Sequence, residues 1–284
     1  MLHSELLLPI SIALDTPVNI LLVVLLYLVT GCLSPLSASA AEQNALEELS
    51  ALTAATVAAN PLAAVCQRFN GLNTRIRDGR IDRTSARNEL KPLLAELREG
   101  YYRLGGRAYA ESAWFFPLAG YDARAIGGGR CHGYSARGYD FYSGNRHGGH
   151  PSFDIFIHDR NQDGLDDRSG SPVDVRSLTG GVVVALEREW QAGSPLRGGK
   201  YLWIYDPANE LLVYYAHNGA LKVELGDLVK PGDLLASVGR SGYNAAKRRS
   251  PTHLHLTVLR VRDGQVVPLD IYQELKNARS LGAH

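Results

Sequence analysis

Two histidines stand two residues apart in Thr252-His253-Leu254-His255-Leu256. Side chains along a strand alternate between faces, so His253 and His255 share one face while Leu254 and Leu256 enter an apolar layer on the other. Two imidazoles side by side can supply one metal ligand and one neighbouring acid–base group. Alone, the HxH pattern is weak, because many such pairs are incidental. A second cluster is His150-Pro151-Ser152-Phe153-Asp154. Four residues of extended strand span about 13 Å, too far for both side chains to reach one ion, so His150 must fold back. Gly148-Gly149 and Pro151 supply a bend at that point. Asp154 lies in the apolar run FDIFI, where a carboxylate is costly unless paired or metal-bound. A third histidine, His217, closes the run Tyr214-Tyr215-Ala216 before Asn218-Gly219, where a side chain can overhang a groove.

Other histidines compete for these roles. His147, three residues before His150, takes its place if the turn is arranged differently. His158, four residues after Asp154, reads as polar lining. An acidic stretch, Asp159-Arg160-Asn161-Gln162-Asp163-Gly164-Leu165-Asp166-Asp167, has oxygen ligands at positions 1, 3 and 5 and glycine at 6, like the front half of an EF-hand calcium loop. Position 12 is Gly170, so the closing carboxylate is missing and Asp167 would have to compensate. Asp159, Asn161, Asp163 and Asp167 are therefore candidate Ca2+ ligands, against a solvated loop whose side chains cap their own turns.

The elements that must position these residues change character along the chain. From Glu42 to about Arg103 the sequence is rich in Ala, Leu, Glu and Arg, with Leu46, Leu49, Leu52 and Val57, then Leu90, Leu93, Leu94 and Leu97, at helical spacing. Asn60-Pro61 and Asp78-Gly79 break it into short helices. This helical leader (42–107) reads as a packing element or as a segment docked over the cleft. From about Ala108, strand-like runs follow at 153–157, 181–187, 201–205, 211–216, 234–238 and 253–261, with turn residues between them. That texture predicts a mainly β domain over 108–284, an antiparallel sheet or sandwich.

Residues 1–41 read as a signal peptide or a membrane or lipoprotein anchor. The apolar run 18–29 is shorter than the roughly 20 residues of a comfortable span, and Val29-Thr30-Gly31-Cys32 resembles a lipobox in which Cys32 is lipidated. Ala38-Ser39-Ala40 fits a signal-peptidase site instead. No Lys or Arg precedes the apolar run, which suits neither reading. Export to the periplasm or cell envelope is the expectation, with anchored and released forms both open. In an oxidising compartment Cys66 and Cys131 form an even pair. A bond between them would close a loop of about 65 residues and contribute roughly 4 kcal/mol by chain entropy. Thirty basic residues against 29 acidic ones give a net charge of +1, which argues against a nucleic-acid binder.

In this order, the histidine and aspartate clusters resemble the M23 peptidases, the lysostaphin-type or LytM-like endopeptidases of peptidoglycan. The resemblance covers roughly residues 125–265. It includes Ser171-Pro172-Val173, Gly180-Gly181-Val182, the GD-x-V-x-x-G stretch from Gly226 to Gly232 with the strand after it, and Ser241-Gly242 before the final histidine pair. The resemblance implies a lysostaphin-like, duplicated-hybrid-motif fold. It implies one Zn2+ held by His150, Asp154 and His255, with His217 and His253 as the catalytic pair beside a zinc-activated water, and peptidoglycan peptide as substrate. HExxH, the motif of thermolysin-type enzymes, is absent. Two further function classes compete. A non-catalytic M23-like wall-binding or hydrolase-regulating protein would have lost ligands, and none is lost. A swinging-arm carrier shares GD-x-V-x-x-G but needs a lysine at a hairpin tip, where neither Lys222 nor Lys230 stands.

Overall fold

The computed structural model describes residues 61–282. The expectations for the targeting segment, for Cys32 and for the leader before Pro61 lie outside the described residues. Among those described, no helix is long and apolar enough to cross a membrane.

Two helices open the described chain, α1 (Pro61–Arg77) and α2 (Arg83–Arg103). Asp82 caps α2 by accepting the Ser85 amide at 3.0 Å. Each helix buries one stripe at helical spacing: Leu62, Cys66, Phe69, Leu72 and Ile76 on α1, and Leu90, Leu93, Leu94, Leu97 and Tyr101 on α2.

Nine strands follow: β1 (Ser152–Phe156), β2 (Asp174–Arg176), β3 (Gly181–Glu187), β4 (Lys200–Asp206), β5 (Leu211–Leu221), β6 (Leu228–Val229), β7 (Leu234–Val238), β8 (His253–Arg262) and β9 (Gln265–Pro268). All pairings are antiparallel, in the order β1-β8-β5-β4-β3-β6, with β7 joining β5 to β2 and β9 beside β8. A short helix, α3 (Tyr272–Asn277), closes the described chain.

The alternation of side chains along the strands builds two cores. One face carries Phe153, Ile155, Leu202, Ile204, Val213, Tyr215, Leu254, Leu256 and Val258, covered by Trp114, Phe116, Leu118 and α3. The opposite face carries Val182, Val184, Tyr201, Trp203, Tyr205, Leu212, Ala216, Leu259 and Val261, covered by the stripes of α1 and α2 and by Phe141 and Tyr142. The odd-numbered positions of β8 share a face. His253 and His255 therefore lie on the helix-covered side of the sheet, beyond the end of the helical cover.

Two expectations are corrected here. Cys66 and Cys131 are both free thiols and form no disulfide. Cys66 faces the helix-covered core, where burial pushes its pKa up to about 12, while Cys131 is exposed on an irregular turn. The acidic loop likewise gives no support to calcium. Asp159 accepts the amides of Asp163 and Gly164 at 3.1 and 2.9 Å, Asp163 that of Leu165 at 2.8 Å, and Asp167 that of Arg160 at 3.1 Å. Asn161 donates to Asp163 at 2.8 Å. The oxygens that would face a cation thus cap their own turns. The loop acts instead on β8. Thr252, just before His253, donates to the buried Asp159 at 2.6 Å, and Gln162 holds the carbonyl of Arg248 at 2.8 Å.

Candidate metal centre and cleft

Strand pairing assembles the site. Asp154 on β1 pairs with His255 on β8, which pairs in turn with Ala216 on β5, one residue before His217. His150 arrives by the bend that the glycines suggest. Gly149 has φ +72°, and a Cβ there would stand 2.6 Å from the Arg137 carbonyl, so the turn requires glycine. Past it, His150 exchanges backbone hydrogen bonds with Ser135 at 2.7 and 2.8 Å. The side chain then folds back to place Nε2 3.3 Å from Asp154 Oδ1. His255 Nδ1 lies 2.9 Å from the same oxygen. One ligand atom each from His150, Asp154 and His255 lies within 4.8 Å of the others. Two nitrogens and a carboxylate oxygen at this spacing suit a borderline cation such as zinc.

His217 and His253 stand beside this group, their ring centroids 4.9 Å apart and that of His217 5.4 Å from His255. Backbone carbonyls fix the tautomers. His217 Nδ1 donates to Ser241 O at 2.8 Å, His253 Nδ1 to Pro251 O at 2.7 Å, and His150 Nδ1 to Gly133 O at 3.0 Å. A carbonyl only accepts, so Nδ1 carries the hydrogen and Nε2 presents a lone pair. His253 Nε2 lies 3.7 Å from Asp154 Oδ1.

Burial alone would raise the pKa of Asp154, but the His150 and His255 imidazoles outweigh it and hold the carboxyl well below the usual range. Hydrogen bonding to Asp154 raises the pKa of His150. Burial, then the charges of His255 and His253, push His217 well below the ordinary imidazole value, so its lone pair is available at neutral pH.

Sequence patterns alone did not identify the supports of this arrangement. His217 has φ +65° and lies within β5, which continues to Leu221 after a register shift. Gly242, with φ +116°, packs so closely that a Cβ would stand 2.7 Å from His217 Nδ1. Ser241 holds His217 through its carbonyl, accepts the Lys200 amide at 2.8 Å and donates to Asn218 O at 2.7 Å. The only signal for this pair was Ser241-Gly242 itself, visible as a motif without a physical task. His147 stays out of the metal group, its ring bonded to Gly148 O at 2.8 Å. His158 is exposed and stacked on Tyr121, away from the cleft.

The site opens into a cleft of about 320 Å³. Tyr139, Tyr201, Trp203 and Tyr214 form an aromatic wall, and Asn73, Ile76 and Arg77 bring the end of α1 to its edge. Hydrogen bonds from Asn73 and Arg77 to Tyr201 OH, at 3.2 and 3.1 Å, and the 2.6 Å Arg77–Glu187 ion pair tie that end to the sheet.

The antiparallel sheet thus carries a His–Asp–His group that could hold a metal ion, with two further imidazoles beside it. Residues 160–268 match the model of peptidase family M23. The matched span contains His217, His253 and His255 and begins after His150 and Asp154, which reach the site through the bend and the β1–β8 pairing. Several solved structures are similar. A zinc containing peptidase from Vibrio cholerae is 20% identical, with 57% of this chain and 39% of that one covered and a TM-score of 0.34. For the antimicrobial peptidase lysostaphin from Staphylococcus simulans the values are 20%, 51%, 48% and 0.33. For lytM from Ruminococcus gnavus they are 24%, 69%, 75% and 0.38. The chain thus spans less than half the length of the first two. A search of the curated proteins finds no match.

Proposed function

We propose that this protein is a zinc-dependent endopeptidase that hydrolyses the peptide cross-links of bacterial peptidoglycan. The observation that carries this reading is the convergence, in one cleft, of the His150–Asp154–His255 group with the Nε2 lone pairs of His217 and His253. His150 and Asp154, on the bend and on β1, and His255, on β8, would hold the ion. When bound, zinc supplies a Lewis acid and brings the pKa of a water towards 7.

The chain's own residues do the rest. Nε2 of His217 or of His253 takes the proton of the attacking water and returns it to the leaving amine, while the other imidazole, when protonated at Nε2, donates a hydrogen bond to the reacting carbonyl oxygen. Asp154 orients His150 and His255. The aromatic wall positions the peptide and limits water. In this reading residues 1–41 export the chain to the cell envelope, and the leader from Pro61 onward is part of the folded enzyme rather than a detachable cover.

The test is digestion of purified sacculi with and without a chelator, with the released fragments identified. Release of cross-link fragments should stop with the chelator, return with Zn2+, and be lost in His255→Ala. Full wall hydrolysis and metal content in His255→Ala would overturn the assignment.

A further inference from the structure

The electrostatics of the cleft narrow its substrate class, within the peptidase reading above. Among the residues that line it, Asp154 is the sole carboxylate, and it belongs to the metal group. Two arginines line the same space. Arg77 is neutralised by Asp78 at 2.7 Å and Glu187 at 2.6 Å. Arg197, exposed on the β3–β4 connection, has no acidic partner among the described residues.

Arg197 is nevertheless held in place. Its Nη1 donates to the carbonyls of Asn145 at 3.2 Å and His147 at 3.1 Å, on the loop that leads to His150. Its neighbour Gly198 accepts the backbone amide of His217 at 2.9 Å. The side chain therefore reaches from the His217 side of the cleft to the His150 side. Neutral carbonyls fix the guanidinium without cancelling its charge. They engage only Nη1, so the parallel N–H groups of Nε and Nη2 have no protein acceptor among the described residues. That edge of an arginine binds a carboxylate by two parallel hydrogen bonds.

We propose that Arg197 is a specificity-determining residue that pairs with a free carboxylate of the peptide beside the scissile bond. The preferred substrate is then an acidic cross-link peptide rather than an uncharged one such as a glycine bridge. A preformed fork with an unsatisfied charge discriminates against a neutral isostere because the amide offers one acceptor oxygen and brings an N–H against the guanidinium.

The experiment uses the full-length chain and two synthetic cross-linked peptides, identical except that the carboxylates flanking the scissile bond are free in one and amidated in the other. The wild-type ratio of kcat/KM, free over amidated, should be roughly tenfold or more, as for loss of a charge-assisted pair. It should fall to near one in Arg197→Gln, fall below one in Arg197→Glu, and recover in part in Arg197→Lys. Because each variant is judged by its own ratio, a general loss of fold or metal does not mimic the result. A wild-type ratio near one, or an undiminished ratio in Arg197→Gln, overturns the proposal.

Fluorescence anisotropy of both peptides on the chelated protein separates this claim from the peptidase reading. A binding preference without hydrolysis keeps the role of Arg197 and removes the peptidase. Hydrolysis without preference does the reverse, and neither binding nor hydrolysis removes both.

Discussion

At the scale of single residues, five side chains divide into two groups by what their loss should do. His150, Asp154 and His255 offer converging ligand atoms. His217 and His253 are aimed by carbonyls of Ser241 and Pro251 and present lone pairs. His217→Ala should lower kcat/KM by roughly a hundredfold or more, the usual range for removal of an acid–base group, while bound zinc stays near one equivalent. His255→Ala should lose metal and activity together. Activity assays paired with metal analysis distinguish these, and loss of zinc in His217→Ala would move that residue into the ligand group. That His253 and His255 share one face was legible from strand periodicity, and the bend before His150 from its glycines. The left-handed conformation of His217 was not, nor was the close approach of Gly242, 25 residues away in sequence, to its ring. Nor was the fate of the acidic loop. The same Asp and Asn oxygens serve a cation or their own backbone amides, and only the backbone path decides between them.

At the scale of elements, the amphipathic stripe of α2 was readable and that of α1 was not singled out, but a stripe does not say what it covers. It covers the site-bearing face of the sheet, where the helices share a core with Val182, Val184, Tyr205, Leu212, Leu259 and Val261. A chain shortened to begin at Ala108 would expose that layer to water. It should aggregate or unfold rather than hydrolyse wall peptide faster. Leu97→Ala, at a position with 0% exposure, should cost about 2–5 kcal/mol in chemical denaturation of the full chain. A shortened chain that folds and is more active than the full one would instead make the helices an inhibitory cover. The end of α1 also lines the cleft through Asn73 and Arg77, so removing it would open one wall of the binding space.

At the scale of the whole molecule, the metal group joins parts of the chain that are distant in sequence. His150 comes from a bend, Asp154 from β1 and His255 from β8, and the two histidines are about a hundred residues apart in a flexible unfolded chain. An ion that needs all three binds the folded state and not the unfolded one. It should therefore stabilise by about 2.7 kcal/mol when free metal is a hundred times its dissociation constant. The folded chain already bears part of the cost of gathering the ligands, since Asp154 is held between imidazoles and His150 is tied to Gly133 and Ser135. Thermal unfolding with Zn2+ and with a chelator should accordingly show a higher midpoint with metal, a difference that grows with free zinc. Asp154→Ala and His255→Ala should abolish that difference, while His217→Ala should retain it despite its lowered activity. An unfolding midpoint indifferent to zinc in the wild-type protein would mean that the three ligand atoms do not act together on one ion. The histidines would then have to be explained as a hydrogen-bonded cluster around a half-buried carboxylate.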